Sequence, residues 1–133
     1  AADAVFLGRR DRGAKEKTSM PRGEFTKTVT AILDDMQAGL LQRARAFREA
    51  HTHRLDTRED FYAFFTPKNA NKPEIHGGFA LAHWSGDAAV EETVQKDLGV
   101  TIRCIPLDAP EEQGRCVISG QPSRRRVVFA KAY

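Results

Sequence analysis

Two short apolar stretches, residues 79–84 and 100–105, are separated by a segment of mixed character. The first is apolar on both alternating faces, which is typical of a strand covered by other structure. Between them, Asp87 is a candidate helix N-cap and Gly99 a candidate left-handed C-cap. About fifteen residues join the two strands, which suits a parallel crossover better than a hairpin. The sequence therefore predicts a βαβ unit.

The N-terminal third predicts a hairpin followed by a long helix. A strand is expected from Val5 to Arg10, and residues 15–18 are expected to pair back after a turn. Ser19 is a candidate helix cap, with Pro21 in the first helical turn. Apolar residues then recur every three or four positions to about Ala50, and this stripe is expected to be buried against other structure. The stripe includes Phe25, Val29, Met36, Leu40, Ala44 and Phe47.

The rest of the chain predicts a short helix and a final strand. Thr57 and Asp60 have the spacing of a capping box, and three phenylalanines between residues 61 and 65 form its buried face. Residues 66–78 are expected to be a loop, and a strand is expected at about residues 125–130. The order after the long helix is β-α-β-α-β-β, with strands near residues 51, 78, 100 and 125. This predicts an α+β fold, a two-layer domain with a mixed four-stranded sheet, preceded by a long helix and a short strand remnant.

Composition narrows the class of protein only modestly. The chain has 133 residues, 41% hydrophobic and 29% charged, with two cysteines and a net charge of +3. No apolar run approaches the roughly 20 residues of a membrane helix, and no signal-peptide pattern is present, so we expect a cytoplasmic protein. Two cysteines cannot form a disulfide framework. The missing initiator methionine, and a start that reads like the middle of a strand, indicate a fragment of a longer protein.

Four motifs carry a specific resemblance. They are His83-Trp-Ser-Gly-Asp87, Thr101-Ile-Arg-Cys-Ile-Pro106, Gly114-Arg-Cys-Val-Ile-Ser-Gly120 and Phe129-Ala-Lys-Ala-Tyr133. In this order and spacing, the chain resembles the C-terminal region of archaeal/eukaryotic-type prolyl-tRNA synthetases. The similarity extends upstream through Ala44-Arg-Ala-Phe-Arg-Glu49 and, more weakly, to Arg9-Arg-Asp11, so it covers nearly the whole chain.

The resemblance implies a domain organisation and a function. Residues 1–44 are expected to be the end of an anticodon-binding domain with its linking helix, and residues 45–133 the family's C-terminal domain. The complete enzyme ligates proline to its tRNA using ATP and magnesium, and is commonly a homodimer. The sequence of this segment has no Gly-rich phosphate loop, activated nucleophile or paired acid and base at a suitable spacing. We therefore expect no catalytic residue here, and a structural role between the anticodon-binding and catalytic domains.

Basic side chains near the N-terminus are candidate tRNA contacts. Arg9, Arg10 and Lys15 can replace the counterions of phosphates. The alternative is that they only keep a strand edge soluble. The arginines at positions 43, 45 and 48, and those at 124–126, are open to the same two interpretations, with a solvated role favoured.

The C-terminal residue is a second candidate. In the family the chain ends in an aromatic residue whose carboxylate can extend toward the catalytic domain, and Tyr133 matches that ending. The alternative is a frayed terminus.

A metal site of the family is expected to be lost. Zinc-bearing relatives supply four cysteines as a Cys-x₄-Cys and a Cys-x₂-Cys pair, and these positions fall on Ser85, Val90, Cys116 and Ser119. One thiol cannot close a tetrahedral site, so zinc is not expected. Cys104 is expected to be a small buried residue.

The histidines leave two further metal alternatives. A replacement site could use Cys104, Cys116 and His83, although His83 is better explained as a hydrogen-bonded core histidine. His51 and His53 resemble a metal pair on one face of a strand, but two ligands do not close a zinc site, and a position at the start of a strand explains them.

Two other classes of protein remain open. The chain could be a free-standing nucleic-acid-binding module, whose affinity would fall steeply with salt. It could also be a protein-interaction domain, which would expose an apolar patch, most naturally on the long helix.

Overall fold

The computed structural model describes residues 3–69, 71 and 77–131. The chain divides into two compact units, Ala1–Glu49 and Ala50–Tyr133. The division falls in the last turn of the long helix, a little beyond the boundary at residue 44 expected from the resemblance. The assignment of these parts to particular synthetase domains stays a prediction.

The first unit is a hairpin followed by a helix. Strands β1 (Ala4–Gly8) and β2 (Lys17–Pro21) pair antiparallel, and helix α1 spans Arg22–Ala50. The predicted hairpin and long helix are confirmed. The predicted cap at Ser19 is wrong, because Ser19 lies in β2 opposite Phe6 and the helix begins only after the strand has ended at Pro21.

The apolar stripe of α1 is only partly covered. No described residue of the first unit is fully buried: Val29, Met36 and Leu40 of the stripe are half-buried, and Phe47 at its C-terminal end is exposed. The expectation that the stripe is buried is therefore not met within the described residues. A two-stranded hairpin and one helix cannot by themselves enclose a core, which is why isolated hairpins are marginally stable.

The second unit is built on a four-stranded mixed sheet. The strands of this unit are β3 (Thr52–Arg54), β4 (Phe79–His83), β5 (Val100–Cys104), β6 (Gly114–Arg115), β7 (Pro122–Ser123) and β8 (Arg126–Lys131). The sheet order is β3-β4-β8-β5, and β6 and β7 form a separate small hairpin. Strand β3 is parallel to β4, whereas β8 is antiparallel to both β4 and β5. The α+β fold with a mixed four-stranded sheet is confirmed.

The predicted βαβ unit is confirmed with one difference. Strands β4 and β5 run in the same direction in one sheet, but β8 lies between them and pairs with both. Helix α3 (Ala88–Leu98) makes the connection between β4 and β5. The long connection required by parallel strands was visible in the sequence, but the later insertion of β8 was not.

The predicted caps of two helices are confirmed. Helix α2 (Arg58–Phe65) begins after Thr57, whose side chain accepts a hydrogen bond from the backbone N–H of Asp60. The carboxylate of Asp87 accepts from the N–H of Ala89 at the start of α3, and Gly99 ends that helix with a φ of 67°. These signals satisfy backbone groups that a helix end leaves unpaired, so they fix both helices locally.

The core of the second unit lies where α2 and α3 meet the sheet. Phe61 is in edge-on contact with both Phe65 and Phe129, at centroid separations of 5.0 and 5.1 Å. Val94, Val100 and Val127 complete the fully buried set of large side chains. Burying a side chain of this kind contributes about 1.5 to 3 kcal/mol. The unit therefore has the apolar core that the first unit lacks.

Within the described residues, no helix is long and apolar enough to cross a membrane.

Candidate functional site

A basic loop joins β1 to β2 at residues 9–16. Arg10, Arg12 and Lys15 are exposed there, and none of their side chains forms a hydrogen bond or salt bridge within the described residues. The loop closes through backbone turns, from the N–H of Arg12 to the carbonyl of Arg9 and from the N–H of Glu16 to the carbonyl of Gly13. The structure thus brings three cations onto one short loop.

Arg9 differs from its basic neighbours because carboxylates surround it. Its Nε and Nη2 atoms donate to the two carboxylate oxygens of Asp11, at 2.9 and 2.7 Å, and Nη2 also donates to Asp35 at 2.6 Å. These hydrogen bonds raise the pKa of Arg9 above its usual range and lower that of Asp11. The predicted phosphate contact of Arg9 is not tested by these contacts, but its charge is already balanced within the protein.

The loop is attached to α1 at two points. Asp35 lies on α1 and accepts from Arg9, and the Nη1 atom of Arg43, also on α1, donates to the backbone carbonyl of Asp11 at 3.0 Å. The sequence favours a solvated role for Arg43 and does not predict its contact with the loop. No local pattern pairs residues that are 26 or 32 positions apart.

The positive charge of the chain is concentrated in the first unit. Residues 1–49 contain ten Lys and Arg against seven Asp and Glu, whereas residues 50–133 contain eleven of each. The whole net charge of +3 therefore belongs to the unit that carries the basic loop. Long-range attraction of a polyanion would be directed there rather than to the second unit.

The β6–β7 hairpin of the second unit holds a single thiol at its turn. The backbone N–H of Cys116 donates to the carbonyl of Gln121, and that of Gly120 donates back to Cys116. The Sγ atom of Cys116 accepts from the N–H of Ser119 at 3.5 Å. Burial raises the pKa of Cys116, but hydrogen bonds from Ser119 and from the N–H groups of Ile118 and Ser85 outweigh it, so that the pKa is lowered.

The four degenerate ligand positions do not form a metal-binding set. Cys116 and Ser119 share one turn, and Ser85 lies against Cys116, but Val90 is buried on α3 and has no donor atom. The Oγ atom of Ser85 is buried and has no hydrogen-bond partner within the described residues. One thiol, two hydroxyls and the apolar side chain of a valine do not provide the four ligands of a tetrahedral zinc site.

The replacement metal site is not supported either. In the part of the chain that the structure describes, no three histidine, cysteine or acidic side chains are grouped as metal ligands. The prediction that Cys104 is buried is wrong, because Cys104 is exposed at the end of edge strand β5, just beyond an irregularity in its pairing with β8. His83 is a buried, hydrogen-bonded residue, as expected, with its Nδ1 atom 3.1 Å from the hydroxyl of Ser123.

Arg126 is a buried arginine whose burial the sequence does not predict. Arg126 is buried at the start of β8, and its guanidinium contacts the carboxylates of Asp56 and Glu112. It also donates to the backbone carbonyls of Leu55 and Leu81. Burial opposes the charge of Arg126, but the hydrogen bonds to Glu112 and Asp56 raise its pKa overall. The neighbouring Arg124 and Arg125 are exposed, as expected for charged residues at the start of a strand.

His51 and His53 line one cavity of about 420 Å³ beside α2. His53 also packs against Phe64, with ring centroids 5.1 Å apart. The expectation that they lie at the start of a strand is confirmed, since β3 begins at Thr52. The C-terminal Tyr133 lies outside the described residues, as does His76 of the predicted loop.

Comparison with known proteins gives a consistent result. A family model described as "Prolyl-tRNA synthetase, C-terminal" matches residues 70–133. The chain is 55% identical to proline–tRNA ligase 2 of Anaeromyxobacter dehalogenans, over 98% of this chain and 26% of that protein. It is 45% identical to proline–tRNA ligase of Protochlamydia amoebophila, over 98% of this chain and 26% of that protein. The chain thus spans about a quarter of the length of these relatives.

A solved structure shows the same fold. Prolyl-tRNA synthetase from Cryptosporidium parvum matches with a TM-score of 0.77 over 99% of this chain and 26% of that chain, at 22% sequence identity. The four-stranded sheet and long helix therefore recur in a structure whose sequence has diverged widely.

Proposed function

Because the chain belongs to the prolyl-tRNA synthetase family and corresponds to its C-terminal region, we propose that the protein containing it ligates proline to its tRNA using ATP. The observation that carries this proposal is the 55% identity to a proline–tRNA ligase across 98% of the chain. Two relatives with lower identity, at 45% and 43%, are also proline–tRNA ligases and match over 98% and 100% of the chain.

The part played by this segment is structural rather than chemical. Its second unit has a core of its own, whereas within the described residues the apolar stripe of α1 is at most half-buried. We propose that the anticodon-binding and catalytic parts of the synthetase cover this stripe, so that α1 links them to the second unit. ATP and magnesium would be bound by the catalytic part, and the complete enzyme would act as a homodimer in the cytoplasm.

Contact with tRNA is assigned to the first unit. The excess of positive charge lies in residues 1–49, and Arg10 and Lys15 are exposed without an internal partner. Both would neutralise phosphates and release counterions, so their contribution would decline as salt concentration rises. The second unit has balanced charge and would contribute little to long-range attraction.

The proposal is tested with the complete protein that contains this chain. We expect proline-dependent exchange of pyrophosphate into ATP and formation of prolyl-tRNA, and no activity from the 133-residue segment alone. Absence of both activities from a folded, full-length protein would contradict the proposal. Salt-dependent tRNA binding by the isolated segment, equal to that of the full protein, would favour the free-standing nucleic-acid-binding module.

The role of the C-terminus is a separate part of the proposal. Tyr133 would carry a terminal carboxylate and an aromatic ring toward the catalytic part, where each could order an active-site loop. Removal of Ala132 and Tyr133 from the full enzyme is expected to lower the rate of proline activation, with the second unit equally stable. Unchanged kinetics after this deletion would instead identify a frayed terminus.

A further inference from the structure

We propose that Arg9 is a positioning residue for tRNA binding rather than a phosphate ligand. Its guanidinium, held by Asp11 and Asp35, fixes the loop of residues 9–16 on helix α1 and thereby presents Arg10, Arg12 and Lys15 together. The inference rests on the proposed function, because it concerns the surface assigned above to tRNA.

The geometry of Arg9 is that of a two-sided clamp. The Nε and Nη2 atoms make parallel contacts of 2.9 and 2.7 Å with Asp11, the fork arrangement that gives guanidinium–carboxylate pairs their geometric specificity. The same Nη2 reaches Asp35 of α1 at 2.6 Å. The Arg9 side chain thus connects Asp11 of the loop to Asp35 of the helix, which lies 26 positions after Arg9.

Exposure separates Arg9 from the other cations of the loop. Its side chain is 14% exposed and that of Asp11 is 9% exposed, whereas Arg10, Arg12 and Lys15 are all exposed. Two carboxylates surround one guanidinium, so the group formed by Arg9, Asp11 and Asp35 carries a net negative charge. A phosphate would gain little from approaching it, whereas Arg10, Arg12 and Lys15, whose side chains form no hydrogen bond or salt bridge within the described residues, can each contact a phosphate.

Further contacts order the loop before any ligand arrives. Arg43 of α1 holds the carbonyl of Asp11 at 3.0 Å, as a second attachment to the helix. At the other end of the loop, the carboxylate of Glu16 accepts from the backbone N–H of Gly13 at 3.1 Å. A loop fixed in its binding conformation loses less conformational freedom on association, so its phosphate contacts give a greater net affinity.

The test uses a pair of substitutions that alter charge identically. Asp35→Asn and Asp34→Asn each remove one negative charge from the same turn of α1. Asp35 is 67% exposed and binds Arg9, whereas the exposed Asp34 forms no hydrogen bond or salt bridge within the described residues. Simple attraction predicts that both changes strengthen tRNA binding. The clamp predicts weaker tRNA binding for Asp35→Asn only.

In the full-length enzyme we expect Asp35→Asn to raise the KM for tRNA about 3-fold to 10-fold, because it loosens the loop. Asp34→Asn is expected to leave this KM equal or to lower it, because that change acts through charge alone. The kcat of aminoacylation and the rate of proline-dependent pyrophosphate exchange are expected to stay at wild-type values for both. Arg9→Lys, which keeps the charge but loses the fork, is expected to raise the KM for tRNA as Asp35→Asn does.

Equal or tighter tRNA binding by Asp35→Asn, or a wild-type KM for Arg9→Lys, would overturn the clamp. Equal tightening by Asp34→Asn and Asp35→Asn would identify simple charge attraction, whereas tightening by Asp35→Asn alone would identify Arg9 as a direct phosphate ligand released from its carboxylate. These results require an enzyme that charges tRNA with proline. If the wild-type protein does not, the proposed function itself has failed, and the two failures are thereby distinguished.

Discussion

The guanidinium of Arg126 and the carboxylate of Glu112 face each other through two contacts of 3.2 Å, Nε to Oε2 and Nη2 to Oε1. Arg126 starts β8, and Glu112 lies in the loop that follows β5. Arg126 also donates to the carbonyl of Leu55, which follows β3, and to that of Leu81 in β4. The buried guanidinium of Arg126 thus connects β8, β4, the residue after β3 and the loop after β5 at one end of the sheet.

Replacing Arg126 by methionine is expected to destabilise the second unit strongly. The change removes the hydrogen-bond donor that the described residues give to the Leu55 carbonyl and to the Asp56 carboxylate. The Leu81 carbonyl and the Glu112 carboxylate each lose one donor but keep another, the N–H of Leu55 and the guanidinium of Arg54. Leaving a buried carbonyl without a donor costs about 1 to 3 kcal/mol, and the lost contact with Asp56, whose side chain is 63% exposed, adds little to this. Thermal or urea unfolding of the 133-residue chain, followed by circular dichroism, measures the loss.

The matched control is Arg125→Met. Arg125 is the preceding residue in the chain, is exposed, and lies 3.9 Å from Glu111, a distance at which a surface pair contributes about 0 to 1 kcal/mol. Equal losses for the two variants would show that the buried network does not stabilise the unit.

The same pair predicts how stability depends on pH. The hydrogen bond from Arg126 is the main cause of the lowered pKa of Glu112 in the folded protein. A carboxyl with a lowered folded-state pKa stabilises the protein fully above its unfolded pKa, near 4.5, and loses that contribution as pH falls through the lower folded value. We therefore expect the Tm to fall as pH is lowered from about 5 toward 3.

Glu112→Gln is the variant that isolates this effect. Glutamine keeps the shape of the side chain but does not titrate in this range, so the variant should be less stable near neutral pH and show a shallower decline of Tm in acid. A decline as steep as that of the wild-type chain would assign the acid sensitivity to other carboxyls, such as Asp11, whose pKa Arg9 also lowers.

A glycine next to His83 gives a third prediction. A Cβ atom at Gly114 would lie 2.3 Å from Nε2 of His83, and other atoms of the ring would lie 2.5 and 2.6 Å away. His83 is buried and its Nδ1 atom is bonded to Ser123, so the ring cannot move away freely. Gly114→Ala is therefore expected to destabilise the second unit by about 1 to 3 kcal/mol, the usual cost of overpacking.

Gly39→Ala is the control of opposite sign. No atom lies within 4 Å of a Cβ placed at Gly39, which is in the interior of α1. Alanine is favoured over glycine there by about 1 kcal/mol, so this variant should be slightly more stable. Two variants that both stabilise the chain would show that the His83 ring adapts to the added methyl group.

Structure that depends on contacts between near neighbours in the chain could be predicted from the sequence. Structure that depends on contacts between distant residues could not. The caps at Thr57, Asp87 and Gly99 act within four residues, and the periods of helix and strand are equally local, so the elements could be predicted. The order of the elements then predicted the fold class, and the resemblance supplied the degenerate ligand positions. The Arg126 network and the clamp from Arg9 to Asp35 depend on pairing between distant residues.

Local rules also misled in two places. Cys104 occupies a strand, where cysteine is usually buried, but β5 is an edge strand and its pairing is irregular at that residue, so the thiol faces solvent. Ser19 precedes a proline and a helix, as a cap would, yet it is held in β2 by pairing with Phe6. In both places the neighbouring strand decides the outcome.

The turn that holds Cys116 and Ser119 gives the last prediction, that the second unit folds without zinc. Backbone N–H groups of Ser85, Ile118 and Ser119 already surround the Sγ atom of Cys116, and Val90 contributes its methyl groups to the buried interior. We expect the purified full-length protein to carry no zinc at this site, and EDTA to leave the Tm of the chain unchanged. The positive control is the triple variant Ser85→Cys, Val90→Cys, Ser119→Cys, which restores the four thiols of the zinc-bearing relatives and should gain a Tm that rises with added zinc and falls with EDTA. One zinc per wild-type chain, or unfolding of that chain by EDTA, would instead show that hydrogen bonds do not replace the metal in this turn.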